Sequence, residues 1–212
     1  SAKQARDRET QAILPLRGKI LNVASATRDK VNANTEISDM IQALGCGSGK
    51  HFDIKALRYE KIIIMTDADV DGAHIASLLM TFFYRELPEI VHQGKLFIAQ
   101  PPLFRVTHNK QHYYPANEKE RDKLVAKLSK ERGSIEVGRF KGLGEMTPAQ
   151  LKETTMKQGN RILLRVVIPD GEHCGTDAQV HALMGKKPEL RFQFIQEETE
   201  RRGTSMLENL DI

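Results

Sequence analysis

Three aspartates at every second position, Asp67-Ala-Asp69-Val-Asp71-Gly72, are the densest concentration of chemistry in the chain. They follow directly on Lys61-Ile-Ile-Ile-Met-Thr66, a short β-branched run with the composition of a buried strand. Carboxylates crowded at the tip of such a strand repel one another unless cations fill the space between them. Oxygen ligands of this kind select magnesium, manganese or calcium. The pattern also opens like a calcium-binding EF-hand loop, but the twelfth position, where a bidentate Glu is required, is Leu78. A strand, not a helix, precedes it, so the EF-hand reading fails twice. A structural reading remains, in which an aspartate caps the following helix at its positive end. That accounts for one carboxylate and not for three.

The neighbours of the aspartates suggest what a cation would do there. His74 lies on the turn into the following helix, although a lone histidine is more often a surface residue. The first 30 residues hold seven basic side chains (Lys3, Arg6, Arg8, Arg17, Lys19, Arg28, Lys30) against three acidic ones. The remaining 25 basic and 25 acidic residues cancel, so this end carries the whole net charge of +4. It reads equally as a polyanion-binding surface and as a solvated helix face. Magnesium on carboxylates beside held phosphates is the machinery of phosphoryl transfer.

The elements that must position these residues are legible from periodicity. From Ala73 to Leu87 a helix is expected to bury Ile75, Leu78, Leu79, Phe82 and Leu87, with His74, Ser77, Thr81 and Arg85 on its polar side. After Gly94, Lys95-Leu-Phe-Ile-Ala99 reads as a second buried strand. Strand, helix, strand in this order makes a βαβ unit with parallel strands, and ligands bind at the carboxyl ends of such strands. Upstream, residues 2–9 read as a short charged helix and residues 11–23 as an extended segment. Ile37, Met40, Ile41 and Leu44 form one apolar helical face, with Asn34 or Thr35 as N-cap and Gly45 as stop. The Gly45–Lys50 loop lacks the lysine-hydroxyl ending of a P-loop and reads as a connection.

Past residue 107 the composition changes, and a soft boundary there divides a first domain, 1–107, from a tail subdomain, 108–212. Asn117 and Glu120 make a capping box for a charged helix to about Glu131. Strands are expected over 135–140 and 161–168, and helices from Thr147-Pro148, over 176–184 and from Pro188. Cys46 and Cys174 read as two reduced thiols, being far apart and without metal-ligand spacing. No run of eighteen apolar residues occurs, which predicts no membrane span. No basic-apolar leader is seen, and a start at Ser1 suggests a processed or excised chain.

Five blocks in order resemble the TOPRIM domain and following tail of the B subunits of type IIA DNA topoisomerases. They are Ser1-Ala-Lys-Gln-Ala-Arg-Asp-Arg8, Pro15-Leu-Arg-Gly-Lys-Ile-Leu-Asn22, Asp67-Ala-Asp-Val-Asp-Gly-Ala-His-Ile75, Gln100-Pro-Pro-Leu103 and Arg139-Phe-Lys-Gly-Leu-Gly-Glu-Met146. They cover most of the chain, and five together are far more specific than any one. Phe140, Arg17 and the short ending Leu210-Asp-Ile212 resemble the topoisomerase IV branch more than the gyrase branch.

The resemblance implies an α/β fold: a Rossmann-like parallel sheet with helices, lacking its first strand, followed by a smaller α+β tail. It implies Mg2+, replaceable by Mn2+ or Ca2+, on Asp67 and Asp69, with Asp71 as an outer or alternate ligand. The family's general acid is a Glu expected upstream of Ser1, so no catalytic residue is assigned in this chain. ATP would act through a domain also expected upstream. A tyrosine of a partner A subunit would attack the DNA backbone, form a 5′-phosphotyrosyl link and reseal it, in an A2B2 heterotetramer in the bacterial cytoplasm, at the nucleoid. Lys3, Lys19, His74, Arg139 and Lys141 are the expected DNA contacts, although Lys141 reads equally as a turn lysine. Arg17 and Glu36 match positions lining the family's quinolone site. Two other classes stand beside this: a non-catalytic module that docks on DNA and the A subunit, which is the expectation for the isolated chain, and a different TOPRIM enzyme such as a primase or nuclease.

Overall fold

The computed structural model describes the backbone of residues 1–169 and 173–202, with side chains for 1–169 and 175–201. The first half runs α1 (Ala2–Ala5), α2 (Arg28–Asn32), α3 (Thr35–Leu44), β1 (Ile62–Ile64), α4 (Val70–Glu86), α5 (Pro88–His92) and β2 (Leu96–Gln100). The second runs β3 (Phe104–His108), β4 (Gln111–Tyr113), α6 (Glu118–Leu128), β5 (Ile135–Arg139), α7 (Pro148–Leu151), β6 (Ile162–Arg165), α8 (His173–Met184) and α9 (Pro188–Arg202). Among the described residues no helix is long and apolar enough to cross a membrane. Cys46 is a buried free thiol, whereas the Cys174 side chain and the ending at 210–212 lie outside the described residues.

The expected βαβ unit is present. β1 pairs parallel to β2 with Ile62 opposite Leu96 and Ile64 opposite Ile98, and α4 with the short α5 makes the crossover. The third strand of this sheet comes from beyond residue 107. β6 lies antiparallel on the other edge of β2, with Ile98 opposite Leu164, so the sheet is mixed, not wholly parallel. A strand edge left bare exposes a row of unpaired N–H and C=O groups, and β6 covers that of β2. The second sheet is antiparallel, in the order β4-β3-β5, with α6 on Phe104, Val106 and His108, which are buried.

Helix α4 starts three residues earlier than its apolar period suggests, because Asp69 takes the N-cap. Its inner face buries Ala76, Leu78, Leu79, Phe82 and Phe83 against α3, β1 and β2. Thr81, expected on the polar side, is buried too. Its hydroxyl donates to the Ser77 carbonyl at 2.7 Å, which removes the cost of an unpaired polar group. Ile75 is only partly buried. A second, smaller core gathers Ala5, Met146, Leu151 and Met156, tying α1 to α7 and the π turn over Lys152–Met156. Thr147 and Gln150 close a complete capping box on α7.

Helix α3 has the ends its sequence specifies. The Asn34 side chain accepts from the Ile37 N–H at 2.9 Å, and Gly45 ends the helix at φ 76°. Asn34→Ala should therefore lower the unfolding free energy by about 1 kcal/mol, read as a lower urea midpoint at unchanged slope.

Candidate metal and phosphate site

The site is the short path from the carboxyl end of β1 into the first turn of α4. Strand β1 buries Ile64 and leaves Asp67 exposed just beyond its end. The chain then reverses so tightly that a Cβ at Gly72 would collide with the carbonyl oxygen of Asp67. Only glycine fits there, which explains why the aspartate run ends on one.

Each carboxylate has its own partner. Asp67 Oδ1 accepts from the Leu143 N–H at 2.7 Å, across 76 residues of sequence. Asp69 Oδ1 accepts from the Gly72 N–H at 2.6 Å as the N-cap of α4. Asp71 forms an ion pair with Lys19 at 2.8 Å. That hydrogen bond, and then the Lys19 charge, hold the Asp71 carboxyl below the ordinary carboxylate range. A depressed folded-state value means the pair favours the fold above the ordinary carboxylate pKa. This benefit is lost as pH falls through the lowered value. Asp71 is fully solvated, so the contribution is screened.

Among the described residues no three His, Cys, Asp or Glu side chains converge as a complete cation cage. Two carboxylates nonetheless suit a hard cation. Asp67 and Asp69 are exposed, and among the described residues no hydrogen bond is made to Oδ2 of either. Both can offer that oxygen at the positive end of a helix, and a further ligand would complete the shell. The donors are all oxygen, which suits magnesium or manganese better than zinc.

The other expected residues are distributed around this turn. His74 is exposed in the second turn of α4, three residues after Asp71 and so on the same face of the helix. Lys3 is exposed on α1, and Arg17 is exposed one residue before Gly18, whose φ is 80°. Glu36 is half-buried in the first turn of α3. Arg139 closes β5 with its guanidinium 6.0 Å from the Phe104 ring centre, and Arg121 lies 4.6 Å from the same centre. Lys141 is exposed, and its backbone N–H donates to Glu145 Oε2 at 2.8 Å. Among the described residues, no hydrogen bond or ion pair joins Lys3, Arg17, Glu36 or Arg139 to an aspartate. The structure thus brings Lys19 to Asp71, and the segment carrying Lys141 to Asp67.

Sequence reasoning missed Gly142 and Leu143 as neighbours of Asp67. A backbone N–H leaves no trace in composition, and the glycines flanking Leu143 were the sole signal.

Residues 1–101 match the family model of the Toprim domain, and residues 132–196 match that of the DNA gyrase B subunit, carboxyl terminus. The chain is 58% identical over 213 residues to the DNA topoisomerase 4 B subunit of Rickettsia felis, covering 100% of this chain and 32% of that protein. It is 58% identical over 200 residues to the DNA topoisomerase 4 B subunit of Caulobacter vibrioides, covering 94% and 28%. It is 50% identical over 196 residues to the DNA gyrase B subunit of Thermotoga maritima, covering 92% and 30%. The chain spans about a third of the length of the curated relatives it matches.

Proposed function

This chain belongs to the Toprim-bearing B-subunit family of type IIA DNA topoisomerases, and from that membership we propose that it is the metal- and DNA-binding part of a topoisomerase IV B subunit. The observation that carries the reading is the Asp67–Gly72 turn, set where a parallel strand feeds a helix, inside a segment matching the Toprim domain. The topoisomerase 4 relatives at 54–58% identity, against 50% for the gyrase relative, favour topoisomerase IV over gyrase. The same comparison keeps the gyrase B subunit as the second reading.

In this reading the complete enzyme breaks and reseals both strands of a duplex through a tyrosine of an A subunit, in an A2B2 assembly driven by ATP bound outside this chain. It acts on chromosomal DNA in the bacterial cytoplasm. Asp67 and Asp69 hold Mg2+, together with a Glu that the resemblance puts before Ser1. When bound, the ion stabilises negative charge on the leaving oxygen. Asp71, paired with Lys19, would serve as an outer-sphere or alternate ligand. Lys3, Lys19, His74, Arg139 and Lys141 receive backbone phosphates, which positions the duplex without reading its sequence. Arg17 and Glu36 face the broken DNA, where a quinolone would insert.

The test is strand passage by the full-length protein that carries this chain, mixed with a topoisomerase IV A subunit, ATP and Mg2+. Catenated circles should be separated, and relaxed plasmid should gain no negative supercoils. Supercoiling would move the assignment to gyrase. Failure to pass strands at all, or primer synthesis without an A subunit, would overturn it.

A further inference from the structure

Asp67 is held from the second half of the chain at two adjacent points. Its Oδ1 accepts from the N–H of Leu143, the first residue of a 3-10 turn over Leu143–Glu145. A Cβ placed on Gly142, the residue before, would stand 2.9 Å from Cγ and Oδ1 of Asp67 and 3.1 Å from Oδ2. Gly142 sits at φ −166° and ψ 173°, extended backbone that any residue adopts, so backbone freedom does not explain the glycine. The Asp67 carboxylate, which occupies the space a Cβ would need, does. Gly144, two residues on, faces open space.

The segment that makes these contacts is itself anchored. The Phe140 N–H donates to the Leu103 carbonyl at 2.9 Å, and Glu145 Oε2 accepts from the Lys141 N–H. Met146, 2% exposed, fills the second core. A fixed N–H on Oδ1 sets the rotation of the carboxylate and leaves Oδ2 to a cation. Removing a group that orients a ligand in this way typically costs about 10–100-fold in metal affinity.

We infer that Gly142 and Leu143 are positioning residues for Asp67, so that the segment carrying Arg139 and Lys141 presets the cation site in the first half of the chain. This rests on Asp67 being a cation ligand. It gives the glycine at 142 a task that phosphate binding by its neighbours does not explain.

The experiment titrates Mn2+ alone into the full-length protein that carries this chain, followed by electron paramagnetic resonance. Gly142→Ala should weaken binding about tenfold or more, with thermal midpoint unchanged, and Gly144→Ala should bind as wild type. Leu143→Pro deletes the donating N–H at a position where proline is tolerated, after an extended residue, and should weaken binding likewise. Hydrogen exchange at the Leu143 amide, slow in the wild type, should become fast in Asp67→Ala. Wild-type Mn2+ affinity in both Gly142→Ala and Leu143→Pro, or an amide indifferent to Asp67→Ala, would overturn the inference while leaving the metal reading standing. A wild-type protein that takes up no Mn2+ would overturn both.

Discussion

Asp69→Asn is expected to reduce DNA cleavage by the assembled enzyme about a thousandfold or more, while leaving the protein as stable as before. The two effects separate because Asp69 has two tasks. Its Oδ1 caps α4 by accepting from the Gly72 N–H, and asparagine does this as well as aspartate. The negative charge, beyond a few tenths of a kcal/mol at the positive end of α4, serves a cation, and asparagine removes it. A thousandfold corresponds to about 4 kcal/mol of lost transition-state stabilisation, a reasonable share for an ion that neutralises a leaving oxygen. Asp69→Ala should lose the same activity and in addition about 1 kcal/mol of stability with the cap. Removing one of three neighbouring like charges also relieves repulsion, so a fall in stability on Asp69→Asn is not expected. Plasmid linearisation with the A subunit, beside thermal denaturation of each variant, reads both quantities. Wild-type cleavage by Asp69→Asn would remove Asp69 from the cation site.

The second large effect is on the fold. Phe82 is 0% exposed in the C-terminal half of α4 and meets Phe83 edge-on, with ring centres 5.2 Å apart and planes at 72°. Around it pack the buried side chains of α3, β1, α5 and β2. Phe82→Ala should cost about 3–5 kcal/mol, the lost burial together with the cavity left behind. That is a large part of the roughly 5–15 kcal/mol that holds a domain folded. For a chain of this size the melting temperature should fall by about 6–20 °C. Phe192 on α9 is the internal comparison: it is 64% exposed, and its replacement by alanine should change stability by no more than about 0.5 kcal/mol. Equal melting temperatures for wild type and Phe82→Ala, measured by calorimetry, would show that α4 is not packed as described. Because the other end of α4 carries Asp69 and Asp71, any loosening of this core also disturbs the site.

The elements around the site could be read in advance where their signals are local. The Asn34 cap, the Gly45 stop, the Thr147-Pro148 start and the isoleucine strand before Asp67 each depend on contacts within a few residues. The early start of α4 was harder. Asp69 and Asp71 both resemble caps in sequence, and which carboxylate takes the Gly72 N–H depends on how tightly the chain turns against Asp67. Thr81 was misplaced for a related reason. Its hydroxyl satisfies itself on its own helix, so a polar residue can face the core at little cost.

What the sequence determined by itself is therefore short-range: the strand, helix and strand of the βαβ unit as separate elements, the helix ends, and three carboxylates delivered together at the tip of a buried strand. These follow from side-chain period, backbone preference and capping, which act over one or two turns of chain. Only the tertiary structure decided that β6 returns from residues 162–165 to cover the edge of β2, that Lys19 meets Asp71, and that the Leu143 N–H holds Asp67. Each of these joins segments at least fifty residues apart, and two are made wholly or partly by backbone groups that every residue carries. Nothing in residue type marks such a partner until the chain has folded and the distance can be measured.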